Sequence, residues 1–296
     1  MKFTKLSFKI LDNPEREGER SIGVITFTEP DTLNALTPDL ALELDALMNE
    51  IRRNDTLKVV ILTGTGNGFG SGGNLHSEGS VLGKVTDIDS GLRGPYKHLA
   101  EYFLNDLFHD YMQRYARKLE QLPQVTIAAV NGWAVGAGLE LITMADIRIA
   151  SQRARFSEAA VSQGFVTETG GTRTLPQMIG KGRALEMILT GKIVDAEEAE
   201  RIGLVEHVVP HDDLMDEAMA LATKICRQPF LSVRHAKDLV RHYWTRQTAE
   251  SREGWMRELT AVLEIMRTDD NHEGIRSFVE KRQPTYRGPE YPEYLG

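Results

Sequence analysis

The sequence predicts an α/β protein, and three observations indicate this class. Short runs rich in β-branched residues, which are typical of buried strands, stand at Val59–Thr63 and Val125–Val130. A glycine-rich turn follows each run, GTGNGFGSGG at 64–73 and NGWAVGAG at 131–138. From Thr174 onward the apolar residues recur at helical spacing. This order favours an α/β core over residues 1–210, followed by a helical region over residues 211–296.

Further strands and a short helix complete the predicted core. Residues 1–10 alternate polar and apolar side chains as a strand does, and Ser21–Phe27 predicts a second strand. After the second glycine turn, Leu139–Met144 predicts a short helix and Asp146–Ala150 the next strand. Each glycine turn is therefore expected at the end of a strand, where its main-chain N–H groups face a common point.

A longer helix precedes the first buried run. We expect it over Thr37–Arg53, with Thr37 as the N-cap and Pro38 in the first turn. Its apolar residues recur on one face and predict a buried stripe, which consists of Leu40, Leu44, Leu47, Met48 and Ile51.

Helix boundaries are also marked in the second half of the chain. Gly191 and Gly203 are typical C-caps, and Asp195 with Glu198 has the spacing of a capping box. Three more helices are expected, over Asp212–Cys226, Leu231–Tyr243 and Ala249–Arg267.

Composition limits the classes of partner and compartment. A net charge of −8 argues against broad binding to nucleic acid or to anionic membranes, since both need concentrated Lys and Arg. Cys226 is the single cysteine, so no intrachain disulfide forms, and we expect it to be a buried, inert thiol. No run approaches the ~20 apolar residues of a membrane span, and residues 1–10 do not read as a signal peptide. These features predict a cytoplasmic protein.

The segment between Ser77 and Arg117 reads as an extended insertion. Its first half is polar with several glycines, and aromatic residues are interleaved in its second half. Long connections of this kind are usually disordered or functional, and the aromatic residues favour a lid or a pocket wall.

The first glycine turn contains Gly68-x-Gly70-x-x-Gly73, which matches the dinucleotide-binding fingerprint as a bare pattern. A Rossmann loop opens a helix immediately, whereas the residues that follow this turn are polar and rich in glycine. The pattern therefore gives a nucleotide-dependent dehydrogenase little support.

The second glycine turn suits the binding of developing negative charge. The small residues Gly136, Ala137 and Gly138 precede a helical stretch, so unpaired N–H groups meet there. Glu140 follows within one turn. Its position near the start of the helix leaves two interpretations of Glu140: a first-turn residue that stabilises the helix, or a catalytic carboxylate.

Six motifs occur in order along the chain: TLNAL at 32–36, VVILTGTGNGFGSGGNL at 59–75, AAVNGWAVGAGLELITMADIRIAS at 128–151, GGTRTLPQMIGKGRALEMILTGK at 170–192, AEEAERIGLVEHVVP at 196–210 and EGIRSFVEKRQP at 273–284. Together they resemble the enoyl-CoA hydratase/isomerase (crotonase) superfamily. The resemblance implies a spiral of ββα units with a helical C-terminal region that builds trimers, often paired into hexamers.

The resemblance also implies acyl-CoA thioester substrates, with coenzyme A as part of the substrate and no separate cofactor. In the family, two main-chain N–H groups hold the thioester oxygen, and the matching residues here are Gly73 and Ala137. Alanine at 137 departs from the commoner glycine, and we expect it to be tolerated if its φ is negative.

The reaction type depends on which acids match. Glu140 matches the first glutamate of family hydratases, but Ala160 stands where their second glutamate is expected. Glu158, two residues earlier, reads as a solvated or ion-paired residue more readily than as a displaced substitute. Glu168 lies in FVTETGGT, which resembles segments of relatives that migrate double bonds. The resemblance therefore favours an isomerase that uses Glu140 and Glu168.

Several alternatives stay open at this point. They are an enoyl-CoA hydratase, another lyase or hydrolase of the superfamily, and a catalytically silent acyl-CoA-binding protein.

Residues for coenzyme A follow from the same resemblance. Gly73, Asn74, Leu75 and His76 are expected along the pantetheine and adenine path. Phe278 and Lys281 match positions that close over the nucleotide. The histidines show no metal-ligand spacing, so no metal is expected.

Overall fold

A computed structural model describes residues 3–12, 21–73, 113–228, 230–246, 266 and 269–284. Its strands form two sheets. Across the larger sheet the order is β1 (Leu6–Leu11), β2 (Ile22–Phe27), β3 (Val59–Gly64), β5 (Val125–Val130), β7 (Ile147–Ser151) and β10 (His207–Val209). Across the smaller sheet it is β4 (Gly68–Gly70), β6 (Trp133–Val135), β8 (Arg155–Ser157) and β9 (Val194–Asp195).

Nine helices lie in the described residues. They are α1 (Pro38–Arg52), α2 (Gln113–Glu120), α3 (Ala137–Thr143), α4 (Gly171–Ile179), α5 (Lys181–Thr190), α6 (Ala196–Ile202), α7 (Leu214–Cys226), α8 (Phe230–Arg246) and α9 (Asp269–Val279). None of these described helices is long and apolar enough to cross a membrane.

From β3 to β8, successive strands alternate between the two sheets. β3, β5 and β7 are parallel neighbours in the larger sheet, and the short strands β4, β6 and β8 that follow them are parallel neighbours in the smaller sheet. Each pair of strands, one from each sheet, therefore forms one turn of a spiral. The connections from β3 to β4 and from β5 to β6 lie at the same end of the parallel strands. This repetition confirms the predicted α/β class and brings the two glycine turns together.

The predicted first helix is confirmed almost to the residue. The Thr37 hydroxyl accepts a hydrogen bond from the N–H of Leu40 at 3.3 Å, and Pro38 begins the helix. All residues of the predicted apolar stripe are buried, as are the alanine and aspartate Ala41 and Asp45. Burial of Asp45 was not predicted, because its position on a helix gives no sign of the cations that surround it.

The larger sheet is covered on one face by α7. Its apolar residues Leu214, Ala218 and Ala222 pack with Ile61 and Ile127 of the sheet in one buried cluster. The other face packs against α1 and the smaller sheet in a second cluster. The sheet is thus buried on both sides, as parallel sheets are.

The remaining sequence expectations have mixed outcomes. Cys226 is fully buried, as expected. Gly191 and Gly203 end helices at φ 65° and 80°, and Asp195 accepts from the N–H of Glu198 at 2.8 Å. The Asp195 side chain therefore makes its half of the expected capping box. The Glu198 carboxylate accepts a hydrogen bond from Lys192 at 3.0 Å.

Some predictions fall outside the described residues. Apart from Met266, the helix expected over 249–267 does so, and so does the insertion from 77 to 112. The end of that insertion belongs to α2. Division of the chain at residue 210 stays a prediction.

The Gly68–Gly70 segment forms strand β4 and opens no helix there, which removes support for the dinucleotide-binding alternative.

Candidate active site

The two glycine turns are in direct contact. Gly72 has a φ of 82°, and a side-chain carbon built on it would lie 3.0 Å from the Val135 carbonyl oxygen and 3.7 Å from the Ala137 nitrogen. The Leu36 N–H donates to the Gly72 carbonyl at 2.8 Å and fixes the first turn from the other side. Only glycine fits this conformation without strain, so Gly72 allows the first turn to approach Val135 and Ala137 closely.

Two buried asparagine side chains hold the first turn in shape. The amide nitrogen of Asn34 donates to the Gly68 carbonyl at 2.6 Å and to the Thr65 carbonyl at 3.0 Å. Asn131 donates to the carbonyls of Gly66 and Gly68 at 2.9 and 3.1 Å. Glycine loops lack side chains that could lock them, so these bonds supply the rigidity that a binding site needs.

Ala137 begins helix α3 directly after Gly136, whose φ is 50°. The φ of Ala137 is not in the left-handed region, so the expected condition for alanine at this position is met. As the first helical residue, Ala137 has an N–H group without an acceptor inside the helix. Gly138 packs directly on the backbone of Gly70, and this contact seats the start of α3 against β4.

One cavity of about 90 Å³ connects all four residues that the sequence assigned to catalysis: Gly73, Ala137, Glu140 and Glu168. The larger apolar side chains on its wall are Val135, Phe165, Val166 and Phe278. At roughly 30 Å³ per water molecule, this volume corresponds to only a few waters. The main-chain donors and the two acids therefore line one small cavity.

Glu140 is 1% exposed and is held by donors on Thr169 and on Gly171, the first residue of α4. The N–H of Thr169 donates to Oε2 at 3.2 Å, the Thr169 hydroxyl donates to the same oxygen, and the Gly171 N–H donates to Oε1 at 2.9 Å. Burial raises the pKa of Glu140, and the hydrogen bonds from Thr169 and Gly171 oppose that rise. A fixed carboxylate with a raised pKa suits proton transfer near neutral pH.

Glu158 corrects a sequence expectation. We expected a solvated or ion-paired side chain, but Glu158 is 1% exposed, so the solvated alternative is wrong. It lines the same cavity as Glu140, and Ala160 lines it as well. β8 ends at Ser157 and Ala160 has helical dihedrals, so the segment is not an extended strand through Ala160, and Ala159 lines the cavity too.

Glu168 reaches the cavity from the loop before α4, and helix α2 holds its backbone. The side-chain amide of Gln113 donates to the Glu168 carbonyl at 3.0 Å. Glu168 is half-buried, unlike the other two carboxylates. The three acids therefore enter the cavity from three different elements: the α3 helix, the end of β8, and the loop at 164–170.

Sequence reasoning missed several residues around these acids. Thr169 and Gly171 lie in a motif that carried the family resemblance, but nothing local indicates that they bind Glu140. Tyr115 on α2 is 1% exposed, and its hydroxyl has no hydrogen-bond partner among the described residues. Burial, together with the charges of Glu140 and Glu168, raises the pKa of Tyr115 well above its usual value. Tyr115 therefore lies near the site.

The residues expected to bind coenzyme A are only partly described. Phe278 lines the cavity, whereas Lys281 is exposed with a φ of 54° and does not line it. Asn74, Leu75 and His76 lie outside the described residues. Within the described ranges, no group of His, Cys, Asp and Glu side chains could hold a metal ion.

A larger cavity of about 410 Å³ contains none of the predicted site residues. Cations on its wall are matched by acids, for example Arg173 by Glu120 at 2.7 Å and Lys237 by Asp146 at 2.5 Å. Each of the four cations on its wall is paired with an acid. The predicted main-chain donors and catalytic acids line the smaller cavity instead, which is therefore the candidate site.

Comparison with known proteins identifies the family of the chain. The family model described as enoyl-CoA hydratase/isomerase matches residues 17–289. The chain is 33% identical over 270 residues to "Probable enoyl-CoA hydratase echA8" of Mycobacterium bovis, which covers 91% of this chain and 96% of that protein.

Solved structures share the fold. A structure titled as an enoyl-CoA hydratase from Mycobacterium avium subsp. paratuberculosis superposes with a TM-score of 0.79 at 22% identity, over 97% of this chain and 100% of that one. A monofunctional enoyl-CoA isomerase from M. smegmatis superposes with a TM-score of 0.63 at 30% identity, over 85% of this chain and 98% of that one. The chain therefore belongs to the enoyl-CoA hydratase/isomerase family and has the crotonase fold.

Proposed function

We propose that this protein is an acyl-CoA-processing enzyme that moves a carbon–carbon double bond in an enoyl-CoA or dienoyl-CoA thioester. One observation carries the proposal: the residues with the two main-chain donors, Gly73 and Ala137, share a small cavity with Glu140 and Glu168. The family supplies the substrate class, and the cavity supplies the groups that the reaction needs.

The main-chain donors stabilise the charge that develops on the substrate. When a proton leaves the carbon next to the thioester, the electron pair moves onto the thioester oxygen, and an enolate forms. N–H groups of Gly73 and Ala137 are fixed before the substrate arrives, so they need no reorganisation during the reaction. Loss of one such donor typically costs on the order of a hundred- to thousandfold in rate.

The carboxylates move the proton. For a 3-enoyl thioester, one carboxylate takes a proton from C2, and the other gives a proton to C4 of the dienolate. The double bond then lies between C2 and C3, and the total number of protons is unchanged. Glu140 and Glu168 divide these steps, and each acid–base step contributes about a hundred- to ten-thousandfold.

The remaining walls favour an apolar acyl group. Phe165, Val166 and Phe278 line the cavity beside the carboxylates. Apolar walls exclude water from the enolate and disfavour charged carboxylates, which keeps a carboxyl group ready to exchange its proton. Phe278 and Lys281 are proposed to close over the nucleotide, together with Asn74, Leu75 and His76.

Hydration of a 2-enoyl-CoA is the second candidate. Two observations favour it: Glu158 gives the cavity a further buried carboxylate, and the relative from M. bovis is named as an enoyl-CoA hydratase. Two carboxylates around one water molecule can activate it for addition to a double bond.

The proposal also includes a trimer or hexamer in the cytoplasm. Light scattering after size-exclusion chromatography measures the oligomeric state.

Mass spectrometry of products tests the proposal. The protein is mixed with 2-enoyl-, 3-enoyl- and dienoyl-CoA esters in heavy water. Isomerisation leaves the mass unchanged apart from exchanged deuterium, whereas hydration adds one water.

The double variant Glu140→Gln, Glu168→Gln separates an enzyme from a silent acyl-CoA-binding protein. We expect it to lose turnover and to retain affinity for the thioester. A double variant as active as the wild type would contradict the assignment of these two acids.

A further inference from the structure

Helices α3 and α4 are joined by a pair of buried hydroxyl groups outside the catalytic cavity. The hydroxyl oxygens of Thr143, the last residue of α3, and of Thr174, on α4, are 2.7 Å apart. Thr143 is 8% exposed and Thr174 is 5% exposed. Both line the larger cavity, and neither lines the smaller cavity that contains Glu140. These two threonines therefore lie outside the proposed substrate site.

Two hydroxyl protons are available for three short contacts. The Thr143 hydroxyl is also 2.7 Å from the Glu140 carbonyl, and the Thr174 hydroxyl is 3.1 Å from the Gly170 carbonyl. Each hydroxyl has one proton to donate. The Gly170 carbonyl already accepts the Thr174 N–H at 3.0 Å, whereas the Glu140 carbonyl is in the last turn of α3, where carbonyls lack donors inside the helix. The two shortest contacts therefore form one chain, in which Thr174 donates to Thr143 and Thr143 donates to the Glu140 carbonyl.

This hydroxyl chain joins the same two helices as the bonds to the Glu140 carboxylate. Gly171 on α4 donates its N–H to that carboxylate at 2.9 Å. Thr143 lies three residues after Glu140, and Thr174 lies three residues after Gly171, so each pair shares one face of its helix. Two contacts that are one turn apart fix both the separation and the rotation of α4 relative to α3. The carboxylate contact alone would leave the rotation free.

Packing alone does not account for hydroxyl groups at these two positions. A pair of buried valines would fill the same volume and would leave no polar group to satisfy. Apolar contacts are non-directional, whereas a hydrogen bond between hydroxyls holds the two oxygens at about 2.7–2.8 Å. The hydroxyls therefore supply a defined geometry, which a proton-transferring carboxylate needs to within about 0.5 Å.

We propose that Thr143 and Thr174 are positioning residues for the Glu140 carboxylate. Their hydroxyl chain holds the first turn of α4 against α3, and so keeps the donors of Thr169 and Gly171 on that carboxylate. Neither threonine touches the reacting atoms. This inference rests on the proposed function, in which Glu140 transfers a proton.

The pH profile of kcat/KM for Thr174→Val tests this role, with a 3-enoyl-CoA as the substrate. Valine keeps the shape of the side chain and removes the donor, so α4 shifts and the bonds to the carboxylate lengthen. Those bonds oppose the rise in the pKa of Glu140 that burial causes. We therefore expect the acidic limb of the profile to move to higher pH by about half a unit. At the optimum, kcat is expected to fall about tenfold with KM little changed. An acidic limb at the wild-type position would overturn the proposal.

Matched variants separate positioning from a general loss of stability. Thr143→Val breaks the chain at its other member, so we expect the same shift, and the double variant should show no more than one single variant does. Thr174→Ser keeps the hydroxyl and should retain kcat within about twofold. Thr223 is 7% exposed, and its hydroxyl donates to the Met219 carbonyl at 2.8 Å in α7. Thr223→Val is therefore expected to lower Tm as Thr174→Val does and to leave the profile in place. An equal shift in Thr223→Val would overturn the proposal.

Carbon-13 NMR of glutamate carboxyl groups separates failure of the positioning role from failure of the proposed function, because it needs no substrate. Loss of one signal in Glu140→Gln assigns the Glu140 resonance. If the wild type does not isomerise a 3-enoyl-CoA, but Glu140 titrates at higher pH in Thr174→Val than in the wild type, the proposed function fails and the positioning role stands. Identical titrations in the two proteins would end the positioning role, whatever reaction the enzyme performs.

Discussion

The N–H group of Gly171 donates to Oε1 of Glu140 at 2.9 Å, and a side-chain carbon built on Gly171 would lie 2.7 Å from that same oxygen. The two residues are 31 positions apart in the sequence. Helix α4 begins against the carboxylate, and the missing side chain of Gly171 makes this close approach possible.

Gly171→Ala is expected to displace the Glu140 carboxylate, because the added methyl group and Oε1 cannot occupy their present positions. A displacement near 1 Å at a reacting group costs about a hundredfold in rate. Steady-state kinetics with an enoyl-CoA probe measure the loss. Gly182→Ala is the matched control: it also adds a methyl group near the start of a helix, but nothing lies within 4 Å of that position. Equal activities of the two variants would contradict the contact.

Thr169→Val removes the hydroxyl that donates to Glu140 and keeps the shape of the side chain. Since that bond stabilises the ionised form, its loss raises the pKa of Glu140 further. If Glu140 acts as the base, the acidic limb of the kcat/KM profile moves to higher pH. A bond to a charged group is worth about 1.5–3 kcal/mol, so we expect a shift of roughly one to two pH units. Thr190→Val, at an exposed helix end, should leave the profile in place. A limb that does not move would show that Glu140 does not control the profile.

Asp45 joins helix α1 to helix α2 through Arg114 and Lys118, each at 2.5 Å. Burial alone would raise the pKa of Asp45, but the hydrogen bonds and charges of Arg114 and Lys118 outweigh it and hold the pKa below the usual 3.8. A lowered carboxyl pKa contributes stability that is present above the unfolded value and is lost as the pH falls through the folded value.

Asp45→Asn is therefore expected to lower the free energy of unfolding by about 2 kcal/mol at pH 7, which is less than for a fully buried pair because Arg114 is half exposed. The difference from wild type should shrink as the pH falls below about 4. Urea titrations at several pH values measure it. A difference that is constant with pH would contradict the ionic origin of the contact.

Tyr115 has a buried hydroxyl without a partner among the described residues. An unsatisfied buried hydroxyl costs about 1–3 kcal/mol, so Tyr115→Phe is expected to leave the free energy of unfolding unchanged or to raise it by about 1 kcal/mol. Ser151→Ala provides the contrast, because the Ser151 hydroxyl is 2.9 Å from Nδ1 of His211 and its loss should destabilise the protein. If Tyr115→Phe destabilises as much as Ser151→Ala, the Tyr115 hydroxyl has a partner.

Local signals allowed much of the fold to be predicted. The start of α1 followed from Thr37 and Pro38, and two helix C-termini followed from Gly191 and Gly203, because capping depends on neighbouring residues. The β-branched runs identified β3 and β5. These features need no knowledge of distant contacts.

The environment of the acids could not be predicted in this way. Glu140 owes its donors to Thr169 and Gly171, which lie 29 and 31 residues away. Burial of Glu158 depends on what the smaller sheet packs against, and alternation along a strand cannot supply that. The family resemblance indicated which acids to consider, and the three-dimensional packing determined their burial and their neighbours.

A crystal structure with a slowly reacting saturated acyl-CoA tests the central claim most directly. The account predicts a thioester oxygen within about 3 Å of the main-chain nitrogens of both Gly73 and Ala137, with the acyl chain beside Glu140 and Glu168. A thioester oxygen that contacts neither nitrogen, or a ligand bound in the larger cavity, would contradict it.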